Sequence, residues 1–322
     1  MMRDLTCFGD ASVQIADAAS SSSSSGTGAG GGGIRGRRGK GSGTAGARSR
    51  VTCLYHARLA GRPIALSVTW SRGGGLAGQA AAAAVSVVAA DAASGDSLFR
   101  TDVKPWLFAK HKGSKTLDVA GGGAKVEVFW DLSGARFGAA SPEPMEGFYV
   151  AVVCDGEMVL LLGDMRKEAF RKTGASRPAV DTLLVARREH VVGKKVFSAK
   201  AQFFHHGRCH DVVIECDTTK GNENDPCLVI HIDRKPVMRV RRLAWKFRGN
   251  QTVLVDGLPV EVFWDVHGWL FGSATSNAVF MFQTCQAPEK SAPWAYLQIF
   301  REPHQLQEGH GFSLTIHAWK VE

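Results

Sequence analysis

The sequence predicts an all-β, mainly antiparallel protein: two duplicated β-sandwich or barrel-like modules with one short helix between them. Two observations carry this. β-Branched and aromatic runs recur at short intervals between Gly, Pro and Asp punctuation, as in Leu66 to Trp70, Val126 to Trp130, Val212 to Cys216 and Val260 to Trp264. Lys125 to Asp131 also recurs as Pro259 to Asp265, with six consecutive identities from Val126 to Asp131.

The chain opens with a short head, Met1 to Ile15. Between Ser20 and Gly46 follow a serine run, a glycine run and a basic Gly-Arg stretch whose only larger apolar side chain is Ile34. Such a stretch cannot bury enough surface to offset ordering entropy, so residues 1–50 are expected to be a head plus disordered linker. Residues 1–50 carry seven basic side chains against three acids, +4 of the chain's +9. The Arg35 to Lys40 cluster fits a solvated linker first, and RNA contact, an import signal or an anionic membrane after that.

The first module is expected over 51–192. Its hairpin-like pair, Val51 to Arg58 and Pro63 to Trp70, is echoed in the second module by Val196 to Phe203 and Asp211 to Asp217. Asp155-Gly156 between two apolar runs signals a two-residue hairpin turn, and the hydrophobicity of both arms implies burial on two faces. The helix is expected to start at Asp164 as its cap, to carry Arg171 and Lys172 in its last turn and to stop before Gly174. The second module follows over 193–322, either as a second sandwich or as half of one common body. In the duplicated strand, Val126, Val128 and Trp130 share one face, and Glu127, Phe129 and Asp131 the other. The apolar set should point into the core, leaving Phe129 and Phe263 outside for another element or a partner.

These segments resemble a known family. Lys104-Pro105-Trp106-Leu107-Phe108, Gly113-Ser114-Lys115, Val126 to Leu132, Glu146 to Val153, Trp245 to Thr252 and Val260 to Val266, with the opening Arg3-Asp4-Leu5 to Asp10, look like the plant domain of unknown function DUF868. The Gly/Ser/Ala segments at 20–46 and 73–84 depart from its pattern as insertions. The resemblance implies a plant protein. It brings no activity and no catalytic residues.

Composition narrows the function classes. With 44% hydrophobic and 21% charged residues the chain has a globular balance, and the alanine-rich Ala77 to Ala90, broken by Gln79 and Ser86, is too short to span a membrane. No integral membrane segment is expected. The N-terminus lacks the apolar core of a secretory signal, and the seven cysteines are expected as free thiols in a reducing, cytoplasmic or nuclear compartment. Nucleophile elbows, phosphate-binding Gly-rich loops and His-Glu-x-x-His motifs are absent, so no catalytic residue and no cofactor is expected.

Three clusters merit weighing. Glu127 with Asp131, and Glu261 with Asp265, are paired carboxylates. Along a strand, four residues span about 13 Å, beyond the roughly 5 to 9.5 Å of glycosidase pairs. Only a pair formed across the modules could be catalytic, and strand-end charges are the simpler reading. His205-His206-Gly207-Arg208-Cys209-His210, with Cys216, has metal-ligand types without metal-ligand spacing, and reads as an exposed polar turn rather than a metal site. Arg239, Arg241, Arg242, Lys246 and Arg248 interleave with Trp245 and Phe247 in a basic-aromatic strand. That pattern suits phospholipid or nucleic acid if the aromatics are exposed, and a solvated strand face if they are core residues, as the eight tryptophans mostly should be. The favoured function is therefore a non-enzymatic interaction module for an unknown protein partner. The alternatives are an anionic-surface binder through those five cations and a carbohydrate-active or other hydrolytic enzyme.

Overall fold

The structure, a computed structural model, describes residues 47–72, 83–103, 111–120, 123–138, 141–176, 182–204, 207–217, 226–272, 276–284 and 311–320. The head, the linker to Gly46, the insertion at 73–82, the Lys104 to Phe108 motif, His205, His206, Trp106 and Trp294 lie outside them.

The described residues are mostly strand. In chain order the first half gives β1 (Ala47–Leu59), β2 (Arg62–Arg72), β3 (Ala83–Asp91), β4 (Ser97–Val103), β5 (Lys112–Asp118), β6 (Lys125–Asp131), β7 (Arg136–Phe137), β8 (Pro144–Glu146), β9 (Tyr149–Cys154), β10 (Glu157–Gly163) and helix α1 (Arg166–Thr173). The second gives β11 (Leu183–Gly193), β12 (Val196–Ala201), β13 (His210–Asp217), β14 (Cys227–Ile232), β15 (Lys235–Val240), β16 (Arg248–Val255), β17 (Leu258–Asp265), helix α2 (His267–Phe271), β18 (Asn277–Thr284) and β19 (Ser313–Lys320). β1 begins at Ala47, inside the stretch assigned to the linker, because Ala47 and Arg48 already pair with Val192 and Val191.

Two four-stranded sheets, β10-β9-β6-β5 and β12-β13-β14-β15, accompany one nine-stranded sheet ordered β16-β17-β18-β19-β11-β1-β2-β3-β4. Each small sheet shares a core with part of the large one, an arrangement compatible with two sandwiches. Each half is thus a pair of meanders. The duplicated strand lies in a small sheet in the first half (β6) and in the large sheet in the second (β17).

Register shows how the halves join. Trp70 and Val68, in the first core, pair with Val51 and Cys53, which pair in turn with Glu189 and Arg187 of β11. Glu189 and Arg187 lie beside Ile316 and Leu314 of β19, which belong to the second core. Laterally paired residues point to one side of a sheet. Both cores, and both small sheets, therefore sit on the same face of the large sheet, and β11 forms the floor of the seam between them. β11 is antiparallel to β1 and parallel to β19.

At that seam three charges meet. Glu189 is fully buried; Arg187 donates from Nε to Glu189 at 2.8 Å and from Nη2 to Glu143 at 2.7 Å. Its Nη1 lies 3.3 Å from the Cys53 sulfur. Burial works against the Arg187 charge, but Cys53, Glu143 and Glu189 outweigh it and hold the guanidinium protonated. Burial pushes the Cys53 thiol up to about 11, which leaves it inert.

The duplicated strand behaves as its alternation implies. Val126 and Val128 face the first core with Trp130 packed against it, and Val260, Val262 and Trp264 lie in the second. Opposite each tryptophan the partner strand carries glycine, Gly113 against Trp130 and Gly249 against Trp264. A Cβ would stand 3.1 Å from the Trp130 ring but 2.4 Å from the Trp264 ring. In both copies the indole packs against the bare glycine of the partner strand. Phe129 packs into a satellite cluster of Tyr149, Ala151, Val153, Met158 and Ala169, with α1 on the outer side of β9 and β10. This explains why both arms of that hairpin are apolar.

Two local expectations need correction. Asp164 does not cap α1: the cap is Met165, while the Asp164 carboxylate accepts from the Gly147 and Phe148 N–H groups at 2.8 and 3.2 Å. A second helix, α2, was not signalled, having no capping side chain and only five residues. The Asp155-Gly156 turn forms with positive φ at both residues, and Gly174 ends α1 in the left-handed region.

Three outcomes follow for stability. Gly249→Ala should cost more than Gly113→Ala in chemical denaturation, because the added Cβ would stand 2.4 Å from the buried Trp264 ring, which its Nε1 ties to the Lys246 carbonyl at 2.9 Å, but 3.1 Å from the half-buried Trp130 ring. Emptying the same site, Trp264→Ala should cost about 3–5 kcal/mol. Arg187→Met should likewise lose about 3–5 kcal/mol, since it strands two carboxylates at the seam.

Candidate functional site

The five cations singled out in the sequence do not lie along one strand. β15 ends at Val240, Arg242 takes a left-handed φ of 55°, and residues 241–247 form a turn before β16 opens at Arg248. The turn closes through Trp245 N–H and Lys246 N–H onto the Arg242 carbonyl at 2.9 and 3.1 Å. It is anchored by Leu243, fully buried, whose N–H reaches the Pro226 carbonyl at 2.9 Å.

This geometry inverts the expected place of Trp245. Far from lying in the core, it is 85% exposed. The left-handed residue and the buried Leu243 break the alternation that would have turned the indole inward. Arg241, Arg242 and Lys246 flank it, all exposed and without an ion pair among the described residues. Arg248 lies beyond, paired with Asp265 at 2.8 Å and set over the Phe247 ring at 5.8 Å. Phe247 is half-buried, stacking edge-on against Phe271 of α2, itself 56% exposed. Arg239 stands apart on β15, on the side away from the buried Met238 and Val240. The structure thus gathers Arg241, Arg242, Trp245 and Lys246 on one turn, with Arg248 and Phe271 beside it.

The paired carboxylates prove structural. Asp131 accepts from the Ser133 N–H, and Asp265 from the His267 N–H, each at 3.0 Å, so both close an Asx turn at the end of the duplicated strand. Glu127 points away from the first core on a small sheet, and Glu261 away from the second on the large sheet. Two sheet layers lie between those surfaces, which removes the cross-module pair.

His210 is not part of an exposed turn. It is buried, with Nδ1 2.9 Å from Asp233 and Nε2 3.2 Å from Asp256. Arg208 reaches the same two carboxylates at 3.1 and 3.0 Å. Both aspartates open tight hairpin turns and are held below the usual carboxylate range: Asp233 by the Asp211 N–H and His210, Asp256 by Arg208. The cluster ties two hairpin turns together. Among the described residues no group of three or more His, Cys, Asp or Glu could hold a metal ion, and the five described cysteines are free.

Sequence reasoning missed the face of the large sheet turned away from the two cores. There His190 of β11 and His317 of β19 lie side by side, ring centroids 5.1 Å apart, with Trp319 stacked on His190 at 5.1 Å. Asn277 Nδ2 is 3.1 Å from His317 Nδ1. Burial lowers both histidines to about 4, assisted for His190 by Arg50 and Arg188, and for His317 by His190 and Arg188. No local motif signals this pair, because β11 and β19 are far apart in the chain.

Residues 46–320 match the family described as "Plant protein of unknown function (DUF868)". No curated protein and no solved structure matches the chain. No helix among the described residues is long and apolar enough to cross a membrane.

The two histidines set a pH dependence. Their folded pKa values lie below the ordinary 6.5, so between about 6.5 and 4 the unfolded chain binds protons that the folded chain does not. Stability should therefore fall as pH drops through that window. The double variant His190→Gln/His317→Gln should flatten this part of the stability-versus-pH curve, measured by urea denaturation.

Proposed function

Since the chain belongs to the DUF868 family, whose description carries no activity, we propose from its surface that it is a non-catalytic binding module whose second half docks on an anionic lipid surface. One observation carries the reading: a tryptophan 85% exposed at the apex of a turn, flanked by Arg241, Arg242 and Lys246. Exposing an indole to water forgoes the burial of a large apolar side chain, about 1.5–3 kcal/mol for comparable residues. An indole favours the level of lipid headgroups, where its ring is buried and its N–H stays wet. Cations beside it add about 1 kcal/mol each at a negatively charged membrane. Exposed Phe271 supplies a second apolar contact at the same end. Base stacking in nucleic acid would suit an indole set in a groove that tracks a backbone; this one stands at the tip of a turn, anchored from below by Leu243.

Co-sedimentation with vesicles tests this. Vesicles of equal parts phosphatidylcholine and phosphatidylserine should retain the protein, phosphatidylcholine alone should not, and retention should fall as salt rises. Arg241→Gln/Arg242→Gln should weaken binding about 30-fold. Trp245→Ala should weaken it about tenfold without altering the unfolding midpoint. Retention indifferent to both variants, or binding of a single-stranded oligonucleotide in place of vesicles, would sink the reading.

A further inference from the structure

The face of the large sheet turned away from the cores holds a second feature in its first half. A recess of about 390 Å³ lies over β1 to β4, where the polar groups Arg50, Thr69, Ser71, Ser86, Arg100 and Asp102 are interspersed with Ala84, Val85 and Val88. That volume suits a small molecule. Register places these groups in rows across the sheet: Arg50 opposite Ser71, and Thr69 between Thr52 and Ser86, with Asp102 beyond Ser86.

Charge and chemistry narrow the occupant. Arg100 lies 3.4 Å from Asp102, so those charges offset one another. Arg50 is exposed and makes no ion pair among the described residues. One unbalanced guanidinium beside a recess of mixed hydroxyl and apolar lining matches an oxyanion carried on a body that bears hydroxyls on a carbon frame. Thr69 already meets Thr52 through their hydroxyls at 3.0 Å, an arrangement that orients its oxygen and leaves acceptor capacity. His190, opposite Arg50 on β11, senses the same unbalanced field: Arg50 and Arg188 both help keep its ring neutral. Arg188 and His317 face it as well, and no carboxylate is among the groups that shift it.

We propose that this recess binds a small phosphorylated polyol, with Arg50 taking the phosphate and the hydroxyls of Thr69, Ser71 and Ser86 meeting the polyol. The recess belongs to the first half and the Trp245 turn to the second, so the two readings stand or fall separately.

Isothermal titration calorimetry of the full chain decides it, with glucose 6-phosphate, inorganic phosphate and glucose as probes. Glucose 6-phosphate should bind, inorganic phosphate at least tenfold more weakly, and glucose without measurable heat. Arg50→Gln should weaken glucose 6-phosphate at least tenfold and leave the unfolding midpoint in place. Ser71→Ala/Ser86→Ala should narrow the preference for glucose 6-phosphate over phosphate. Silence from both phosphate probes, or unchanged affinity in Arg50→Gln, overturns the site. Phosphate binding as tightly as glucose 6-phosphate overturns the polyol class.

Discussion

The architecture depends on one buried ion cluster. β11 must serve two sandwiches at once, and at its centre the core-facing positions are Arg187 and Glu189 rather than a Val-Ile pair. A continuous apolar stripe there would fuse the two cores into one, with nothing to fix where the first small sheet stops and the second begins. A buried guanidinium held between two carboxylates tolerates few geometries. It costs desolvation, and what it supplies is registry: β1 on one side, β19 on the other, and the loop carrying Glu143 above. The inert Cys53 thiol beside it completes the packing of a boundary.

The duplication takes on a different meaning in this frame. Identical strand sequences occupy non-equivalent layers, β6 in a small sheet under α1 and β17 in the shared sheet. The environment of each side chain away from the core therefore differs between copies, even where the residue is the same. Phe129 is covered by a helix cluster, whereas Phe263 lies half-buried beside Met281 on the face of the large sheet turned away from the cores. Divergence of function between the halves needs no change in the motif itself. It arises from what the neighbouring loops place beside it, and the turn carrying Trp245 and the recess beside Arg50 are both of that kind.

Much of the fold could be read locally. The two-residue period of Val126 to Trp130 sorts its side chains correctly, the Asp155-Gly156 pair places its hairpin, and Gly174 ends its helix, because each depends on a few adjacent residues. What escaped depends on long-range pairing or on a single backbone torsion. Nothing local in Arg187-Arg188-Glu189 marks a buried seam until β19 is set beside it. Trp245 reads as core until the left-handed Arg242 reverses the alternation. His210 reads as part of a polar turn until two hairpin turns from elsewhere close over it. The basic-aromatic cluster was visible as composition, but its exposure was not.

β11 also bears on how the chain is made. Once it has paired with β1, its other edge stays open until β19 is synthesised, with residues 194–312 intervening. At ordinary translation speeds that is a wait of about ten seconds. An open edge is where nascent chains recruit one another. Arg187, Arg188 and Glu189 put three charges in the middle of that edge, on both faces. Charge in the middle of an open edge disfavours pairing with a passing strand, and two of these three residues, Arg187 and Glu189, are the ones that hold the finished seam.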